Sequence, residues 1–395
     1  MSWFAEEIAK GVTLVRILNT EFKRFENFWP IPNGTSYNFY VVRGGEDVAL
    51  IDGTDSRVSS SFWGALHKIV NVEKIKYVIT QHVEPDHSGT LAEVLERVPD
   101  AVLLGTKQAI QIGEKLAGFP IERSREVSDG MEITLGDKTL KFISTPFVHW
   151  PDTMMTLLQE DRILFTCDMF GSHGASKAIY YDEDPDSFEL KDYYASILMV
   201  YSTMVSRALQ KIKDVKPRII APAHGAIHRE PSKVLEIYQR WSSWRPLKKA
   251  LVAVGSQYKR TAKLAIAAAD GISQSGLEPI IIDTAEADPD DLLAETLEAA
   301  ALLIATSTHN GRPFIGITYY LDLLEEYKPK NKVAAVVGSY GWTGGALRVV
   351  RERLEKIKIP VIEELAVKGT PTKEELRAAN ELGRKLGENA LRLVG

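Results

Sequence analysis

The feature that most constrains the fold is a change of pattern near residue 245. After this point, apolar runs alternate with helical stretches over about 150 residues. A first strand near 250 is followed by predicted strands at 278–284, 301–307, 332–339 and 360–365. Helices are predicted between them, at 289–300, 316–326 and 345–356, and a last one at 372–393. Such alternation is typical of a doubly wound parallel sheet.

Before residue 245, strand-like runs come in clusters. They lie at 37–42, 48–53, 76–80, 101–106, 141–146, 162–168 and 218–225, and two helices are predicted at 60–70 and 88–98. This pattern favours a mixed sheet sandwich flanked by helices. Because 395 residues exceed one ordinary core, we predict two α/β domains, 1–245 and 246–395, with 241–250 as the linker.

Composition limits the kinds of partner and metal ligand that we expect for this protein. The net charge of −5 gives no reason to expect nucleic-acid binding. No apolar run approaches the roughly 20 residues that span a bilayer, and Glu6, Glu7 and Lys10 stand where a signal peptide needs an apolar core. We therefore expect a cytoplasmic protein without a membrane partner. The single cysteine, Cys167, excludes an internal disulfide and a CxxC metal site, so we expect nitrogen and oxygen ligands for any metal.

The densest set of ligand-type side chains follows the strand predicted at 76–80. His82, Glu84 and Asp86 alternate, so an extended backbone would place them on one side. His87 follows and could turn to a second metal, and Ser88 is predicted to cap the next helix. The alternative is a polar loop, but two histidines and two acids at this spacing are rare by chance.

Three further donors stand at the ends of other apolar runs: His149, Asp168 and His224. Taken singly, each is about as well explained as a turn or packed residue. If their strands are neighbours, seven donors converge. That number suffices for two metals with three terminal ligands each and one bridging carboxylate.

Three loops after residue 245 follow predicted strands, where an open parallel sheet binds its ligand. They are GSQYKRTAK (255–263), TSTHNGRP (306–313) and GSYGWTGGA (338–346). The first suits a phosphate before a helix N-terminus, and the third offers two aromatic faces beside glycines able to adopt positive φ. The candidate cofactor-binding residues are Ser256, Gln257, Tyr258, Lys259, Arg260, Thr261, Thr308, His309, Asn310, Gly311, Ser339, Tyr340, Gly341, Trp342, Gly344 and Gly345.

The order HxExDH, His, Asp, APAHG resembles the metallo-β-lactamase fold, and specifically its flavodiiron branch. Hydrolases of that fold usually carry HxHxDH, and Glu84 replaces the second histidine here. An added carboxylate suits an iron pair better than zinc. GTSYNFYVV (34–42) and YYAS (193–196) strengthen the resemblance, which covers essentially the whole chain. It implies an αββα metallo-β-lactamase-like sandwich followed by a flavodoxin-like sheet that binds FMN.

The resemblance also implies roles for single residues. His82, Glu84 and His149 would hold one iron, Asp86, His87 and His224 the other, and Asp168 would bridge them. Tyr193 and Tyr194 become candidates for the substrate pocket, although core aromatics explain them about as well. Cys167 is predicted to point to the opposite face of its strand. The Phe-His pair of many family members is Phe25-Glu26 here, which predicts a different route for protons.

The activity implied is reduction of O2 to water, of NO to N2O, or of both, with electrons passing through FMN. With no CxxC pair in the sequence, the donor should be external, a rubredoxin or a reduced deazaflavin coenzyme. The family is described as a head-to-tail homodimer, or a dimer of dimers. Two alternatives remain: a zinc hydrolase with a regulatory flavodoxin-like domain, and an electron carrier whose metal site is vestigial.

Overall fold

The computed structural model describes residues 2–185 and 189–394. It divides into two compact units, Met1–Gln239 and Arg240–Gly395. No helix among the described residues is long and apolar enough to cross a membrane.

The first unit contains two mixed sheets. The seven-stranded sheet has the sequential order Ser2–Ala9, Val12–Asn19, Thr35–Gly44, Asp47–Ile51, Ile75–Ile79, Val102–Gly105 and Ser124–Glu126. The five-stranded sheet has the order Glu132–Leu135, Lys138–Ser144, Met154–Leu158, Ile163–Cys167 and Ile219–Pro222. A short hairpin pairs Arg24–Phe25 with Trp29–Pro30.

These two sheets form the predicted sandwich. One apolar cluster joins residues of both sheets, among them Leu14, Tyr40 and Phe165, and another lies under helices on the outer face of the larger sheet. Strand Thr35–Gly44 serves both, because alternate residues point to opposite faces. The α-helices of this unit are Ser59–Ile69, Pro85–Ser88, Leu91–Arg97, Lys107–Leu116, Leu190–Tyr193, Ser202–Val215 and Pro231–Ser242; Tyr194–Leu198 is a π-helix and Ser56–Val58, Val72–Lys74, Ile121–Arg123, Tyr181–Glu183 and Met199–Tyr201 are 3₁₀ turns.

The second unit is a parallel sheet between two helical layers. Its strand order is Glu278–Asp283, Leu247–Gly255, Ala299–His309, Val333–Tyr340 and Val361–Lys368, with Arg312–Pro313 paired antiparallel to the third. In chain order this is 2-1-3-4-5, the flavodoxin-like arrangement that the strand–helix alternation predicted. The helices are Arg260–Gln274, Pro289–Glu298, Ile315–Tyr327, Ala346–Lys356 and Lys373–Ala390, and Leu391–Leu393 is a 3₁₀ turn.

Small residues bring two of these helices together. A Cβ added at Gly271 would lie 1.9 Å from the carbonyl oxygen of Asn380, and one added at Gly383 would lie 1.9 Å from that of Ala268. The backbones of Arg260–Gln274 and Lys373–Ala390 therefore approach more closely than any side chain would allow. The segment predicted as a linker, 241–250, is shorter in the structure, because helix Pro231–Ser242 and strand Leu247–Gly255 leave only 243–246 between them.

Candidate functional site

The histidine-acid hexapeptide forms a turn at the end of strand Ile75–Ile79. Glu84 is the N-cap of the short helix Pro85–Ser88, whose first position is a proline with φ preset for a helix. The extended backbone that we expected therefore stops at Glu84, and Asp86 lies on a helical turn. Ser88 does not cap the next helix, Leu91–Arg97; Thr90 precedes it. The Ser88 hydroxyl instead donates to the carbonyl oxygens of Val83 and Glu84.

The seven predicted donors lie together. His149 follows strand Lys138–Ser144, Asp168 follows Ile163–Cys167 and His224 follows Ile219–Pro222. Because the last two strands are parallel neighbours, their carboxyl ends lie side by side at the same end of the smaller sheet. The side chains are almost entirely buried; even the most exposed of them, Glu84, keeps 12% of its side-chain surface accessible.

Asp168 stands at the centre of the donors. Its Oδ2 lies 3.8 Å from Nε2 of both His82 and His149. Its Oδ1 lies 3.0 Å from Nε2 of His87 and 3.5 Å from Nε2 of His224. One carboxylate thus divides four imidazoles into two pairs.

Each pair of imidazoles has a second carboxylate of its own. Glu84 Oε2 lies 3.2 Å from Nε2 of His82 and 3.1 Å from Nε2 of His149. Asp86 Oδ1 lies 3.4 Å from Nε2 of His87, and its Oδ2 lies 3.1 Å from Nε2 of His224. The result is two sets of two nitrogens and one acid, related through Asp168.

Hydrogen bonds from outside the donor set fix two rings. Nδ1 of His82 donates to Oδ2 of Asp152 at 2.9 Å, and Nδ1 of His224 donates to the carbonyl oxygen of Ser36 at 2.9 Å. Since Nδ1 carries the proton in both rings, Nε2 is left to bind a cation. Asp152 was missed in the sequence, where its only signal is a position three residues after His149.

The acids and imidazoles stabilise each other's charged forms. Burial lowers the pKa of His224, but its close approach to the carboxylates of Asp168 and Asp86 outweighs burial and raises that pKa to about 10. Burial would raise the pKa of Asp168, whereas the charge of His87 and bonds from His224 and His87 hold it well below its usual range. Protons therefore occupy nitrogens that a metal ion would need, so a metal must displace them.

The donor set fits metal ions. Ligand atoms of His82, His149 and Asp168 lie within 4.8 Å of one another, and so do those of Asp86, His87 and His224. Within the part of the chain that the structure describes, Nε2 of His224 and both carboxylate oxygens of Asp86 are buried without a well-formed hydrogen bond, as expected for atoms that bind a cation.

A cavity of about 260 Å³ opens beside these donors, and Glu26 lies on its rim. Phe22, Phe25, Ile31, Tyr37, Glu84 and Asp86 are among its lining residues. Glu26 as a whole is exposed, but partial desolvation of its carboxyl and a hydrogen bond to Glu84 raise its pKa to about 8. The cavity therefore combines an apolar wall with a weakly acidic group at its entrance.

In the second unit, a cavity of about 270 Å³ lies at the carboxyl ends of the parallel strands. Its lining residues are Ser256, Gln257, Tyr258, Arg260, Ser307, Thr308, His309, Asn310, Ser339, Tyr340, Gly341, Trp342 and Gly369. All three predicted loops contribute, whereas Ser307 and Gly369 were missed. A Cβ added at Gly341 would meet no atom of the described residues within 4 Å, and Trp342 is 84% exposed. This open cradle between hydroxyls and aromatic faces suits a flat phosphorylated cofactor such as FMN.

Comparison with known proteins agrees with this two-part architecture. Residues 35–225 match the model of the ODP family β-lactamases, and residues 252–383 match the flavodoxin model. The type A flavoprotein fprA of Rhodobacter capsulatus is 34% identical over 394 residues, covering 97% of this chain and 91% of that protein. The chain belongs to the flavodiiron (type A flavoprotein) family.

Other members resemble this flavodiiron protein over most of their length. The nitric oxide reductase of Moorella thermoacetica is 33% identical, covering 89% of this chain and 90% of that protein. The coenzyme F420H(2) oxidase of Methanothermobacter marburgensis is 33% identical, covering 97% and 98%. The crystal structure of the flavodiiron protein from Giardia intestinalis superposes with a TM-score of 0.94 at 28% identity, covering 99% of this chain and 98% of that one.

The two candidate tyrosines of this flavodiiron protein, Tyr193 and Tyr194, have different contacts in the structure. The Tyr193 hydroxyl donates to Oδ1 of Asp168 at 2.8 Å, so this side chain contacts the donor set. The Tyr194 hydroxyl lies 3.3 Å from Oγ of Ser202, and its ring packs on Tyr238. Tyr194 therefore belongs to the core, which was the competing explanation of both residues.

The prediction for Cys167 was wrong. Its Sγ lies 3.8 Å from Oδ2 of Asp168 instead of on the opposite face. The backbone of Cys167 has a φ of +51°, so the alternation of a strand ends at this residue. The thiol is fully buried, and burial raises its pKa well above the usual value, which keeps it protonated.

Some flavin-loop predictions also change. Thr261 does not line the cavity, because its buried hydroxyl lies 2.8 Å from Oγ of Ser339. Lys259 precedes the helix in a left-handed conformation and is absent from the lining. Gly341, Gly344 and Gly345 were expected to adopt positive φ, and of these only Gly345 does so. Gly345 packs against Gly311 and Gly344 against Tyr340, and neither glycine lines the cavity.

Proposed function

We propose that the protein is an oxidoreductase that reduces O2 to water, NO to N2O, or both, at a non-haem diiron site with electrons delivered through FMN. The observation that carries this proposal is the position of Asp168, whose two oxygens face separate histidine pairs. A zinc hydrolase and a nitric oxide reductase can share the fold, but a second carboxylate in each set favours iron. The names of the Moorella and Methanothermobacter relatives point the same way.

In this proposal residues 1–245 carry the metals. His82, Glu84 and His149 would hold one iron, Asp86, His87 and His224 would hold the other, and Asp168 would be shared between them. When bound, FMN would pass electrons one at a time to the iron pair, and the iron pair would supply them to the gas. The protein orients Nε2 of His82 and His224 through Asp152 and Ser36, and Tyr193 steadies the bridging carboxylate by donating to it.

Residues 246–395 bind FMN in this account. The loop that contains Ser256 and Arg260 takes the phosphate at the N-terminus of helix Arg260–Gln274, where backbone N–H groups and a cation favour an anion. Tyr340 and Trp342 provide aromatic faces for the isoalloxazine ring. Gly341 keeps the ring position free of side-chain atoms.

We propose an external electron donor and a head-to-tail homodimer, or a dimer of dimers. The donor is a rubredoxin or a reduced deazaflavin coenzyme, and the name of the Methanothermobacter relative supports the second class. In a head-to-tail dimer, the flavin of one subunit serves the metals of its partner. Turnover per subunit should therefore fall when the enzyme is diluted into monomers, and unchanged turnover per monomer would contradict this arrangement. Our expectation of a cytoplasmic location remains a proposal.

The deciding experiment is anaerobic. The purified protein is assayed for iron, zinc and FMN, reduced with rubredoxin or with reduced deazaflavin coenzyme, and mixed with O2 or NO. We expect iron with FMN and rapid consumption of at least one gas. Zinc without iron, together with hydrolase activity, would favour the alternative, a metallohydrolase with a regulatory flavodoxin-like domain.

A further inference from the structure

Two buried side chains beside the donor cluster have polar atoms without a partner. Among the residues that the structure describes, no hydrogen bond reaches Nδ1 or Nε2 of His173 or Oγ1 of Thr35. His173 is 2% exposed and Thr35 is fully buried. An unpaired buried donor or acceptor costs free energy, so native proteins almost always pair it with a protein group or with ordered water.

Backbone hydrogen bonds join the two segments that carry these side chains. The backbone N–H of Gly174 donates to the carbonyl oxygen of Gly34 at 2.9 Å, and that of Ala175 donates to Asn33 at 3.0 Å. The segment that follows His173 therefore runs beside the segment that precedes Thr35, and from this register, continued by one position, we infer that His173 lies opposite Thr35. The His173 ring packs between Phe25 and Tyr193, with ring centroids 5.1 and 5.0 Å away.

This polar pair is one side chain away from the donors. Tyr193, which packs on His173, donates to Oδ1 of Asp168 at 2.8 Å. Tyr37 lies two residues after Thr35 on the same face of its strand. Its ring centroid is 5.7 Å from that of His224, and it lines the cavity beside Asp86.

His173 itself is not a ligand candidate. It belongs to none of the groups of ligand atoms that lie close together among the described residues. Burial and the nearby His224 lower its pKa to about 3, so the ring is neutral. A neutral imidazole carries a proton on one nitrogen and accepts on the other, so it can take up a proton and release another without a net change.

We propose that Thr35 and His173 hold ordered internal water, and that this water is the inner end of the route by which protons reach the metal pocket. The second half rests on the proposed function. Reduction of one O2 to two waters takes up four electrons and four protons, and reduction of two NO to N2O and water takes up two of each. The electrons come from the external donor through FMN, whereas the protons come from solvent and must cross the buried shell around the donors.

The water site is tested by high-resolution diffraction from crystals of the iron- and FMN-loaded protein. We expect solvent density within hydrogen-bond distance of at least one nitrogen of His173 and of Oγ1 of Thr35. Density that is empty at both His173 nitrogens would overturn the proposal. This readout does not depend on turnover, so it separates the water site from the proposed function.

Proton delivery is tested by turnover with O2 in H2O and in D2O, with iron and FMN per chain measured on each sample. In His173→Phe, which keeps a ring between Phe25 and Tyr193, we expect turnover to fall at least about tenfold with a larger solvent isotope effect. His173→Gln, which retains polar atoms, should recover most of the loss. The near-isosteric Thr35→Val should slow turnover severalfold.

Thr156→Val is the matched control, because Thr156 is as buried as Thr35 and its hydroxyl is also unpaired. It lies in the middle of strand Met154–Leu158, and we expect turnover within about twofold of the wild type. Wild-type turnover and isotope effect in Thr35→Val and in an iron-replete His173→Phe would overturn proton delivery. If His173→Phe loses iron or fails to fold, Thr35→Val decides. A loaded wild-type protein that consumes neither gas would instead overturn the proposed function.

Discussion

Replacing Asp152 with asparagine should weaken one of the two metal sites and spare the other. Oδ2 of Asp152 accepts from Nδ1 of His82 and from the backbone N–H of Val83, both at 2.9 Å, while no described residue donates to its buried Oδ1. In Asp152→Asn the amide oxygen can keep both bonds but loses its charge. The amide N–H₂ group then takes the place of Oδ1, which has no hydrogen-bond partner among the described residues.

The magnitude follows from these contacts. Loss of the acceptor's charge lowers the contribution of a hydrogen bond from about 1.5–3 kcal/mol to about 0.5–1.5 kcal/mol, and mutation of a partner behind a metal-binding histidine typically weakens metal affinity about 10–100-fold. Since a tenfold change is about 1.4 kcal/mol, the two estimates agree at the lower end of this range. We expect that loss at the ion held by His82, Glu84 and His149, and a change of less than about threefold at the other.

The assay is anaerobic titration with iron(II) against a competing chelator. Asp129→Asn is the control, because Asp129 also accepts a backbone N–H, from Ser144, but is exposed and pairs with Lys211. Equal affinity of Asp152→Asn and wild type for both ions would show that Asp152 does not support the His82 site, and an equal loss at the two sites would show that its effect is not local.

The remaining predictions concern pH, the flavin cradle and packing. Because the pKa of His224 is raised to about 10, its pairing stabilises the metal-free protein fully below about pH 6.5 and is lost as pH rises through about 10. Iron(II) affinity measured by titration should rise with pH over the same range, and a pH-independent affinity would contradict this. Gly341→Leu should lower FMN affinity about tenfold or more in a fluorescence titration, because its side chain would occupy the flavin cradle. The stability of the flavin-free protein should not change, because a Cβ at this position meets no atom of the described residues within 4 Å. Gly383→Ala should lower the free energy of unfolding in urea by about 1–3 kcal/mol, because its Cβ would lie 1.9 Å from Ala268 O; Gly341→Ala is the control, and equal stability of the two variants would contradict the packing argument.

The sequence predicted what depends on local pattern. The strand–helix alternation after residue 245 predicted the parallel sheet, because each βα unit leaves its own periodic signal. The seven donors were predicted because each follows an apolar run, and the ends of neighbouring strands meet. The flavin loops were located by the same rule, since ligands bind at the carboxyl ends of parallel strands.

What could not be predicted depends on contacts between distant segments. Asp152 matters because its loop folds back 70 positions along the chain onto His82, and no local spacing reports this. Thr261 does not line the cavity at the predicted phosphate loop because its hydroxyl is hydrogen-bonded to that of Ser339, on strand Val333–Tyr340. Cys167 turned toward Asp168 because a left-handed φ interrupts the strand, a conformation that is uncommon for a residue other than glycine.

The proximity of His173 and Thr35 that we infer could not be predicted from the sequence for the same reason. The two residues are far apart in sequence, and their approach depends on backbone hydrogen bonds between two irregular segments. A histidine in a Gly-Ser-His-Gly stretch gives no periodic signal. Its burial and unpaired nitrogens appear only in the folded protein.

The central claim is that seven side chains hold a pair of iron ions with Asp168 between them. Anomalous diffraction at the iron absorption edge, from crystals of the anaerobically purified protein, tests it most directly. We expect two iron peaks on either side of the Asp168 carboxylate, one beside His82, Glu84 and His149, and the other beside Asp86, His87 and His224. A single peak, iron peaks away from Asp168, or a signal at the zinc edge alone would contradict it.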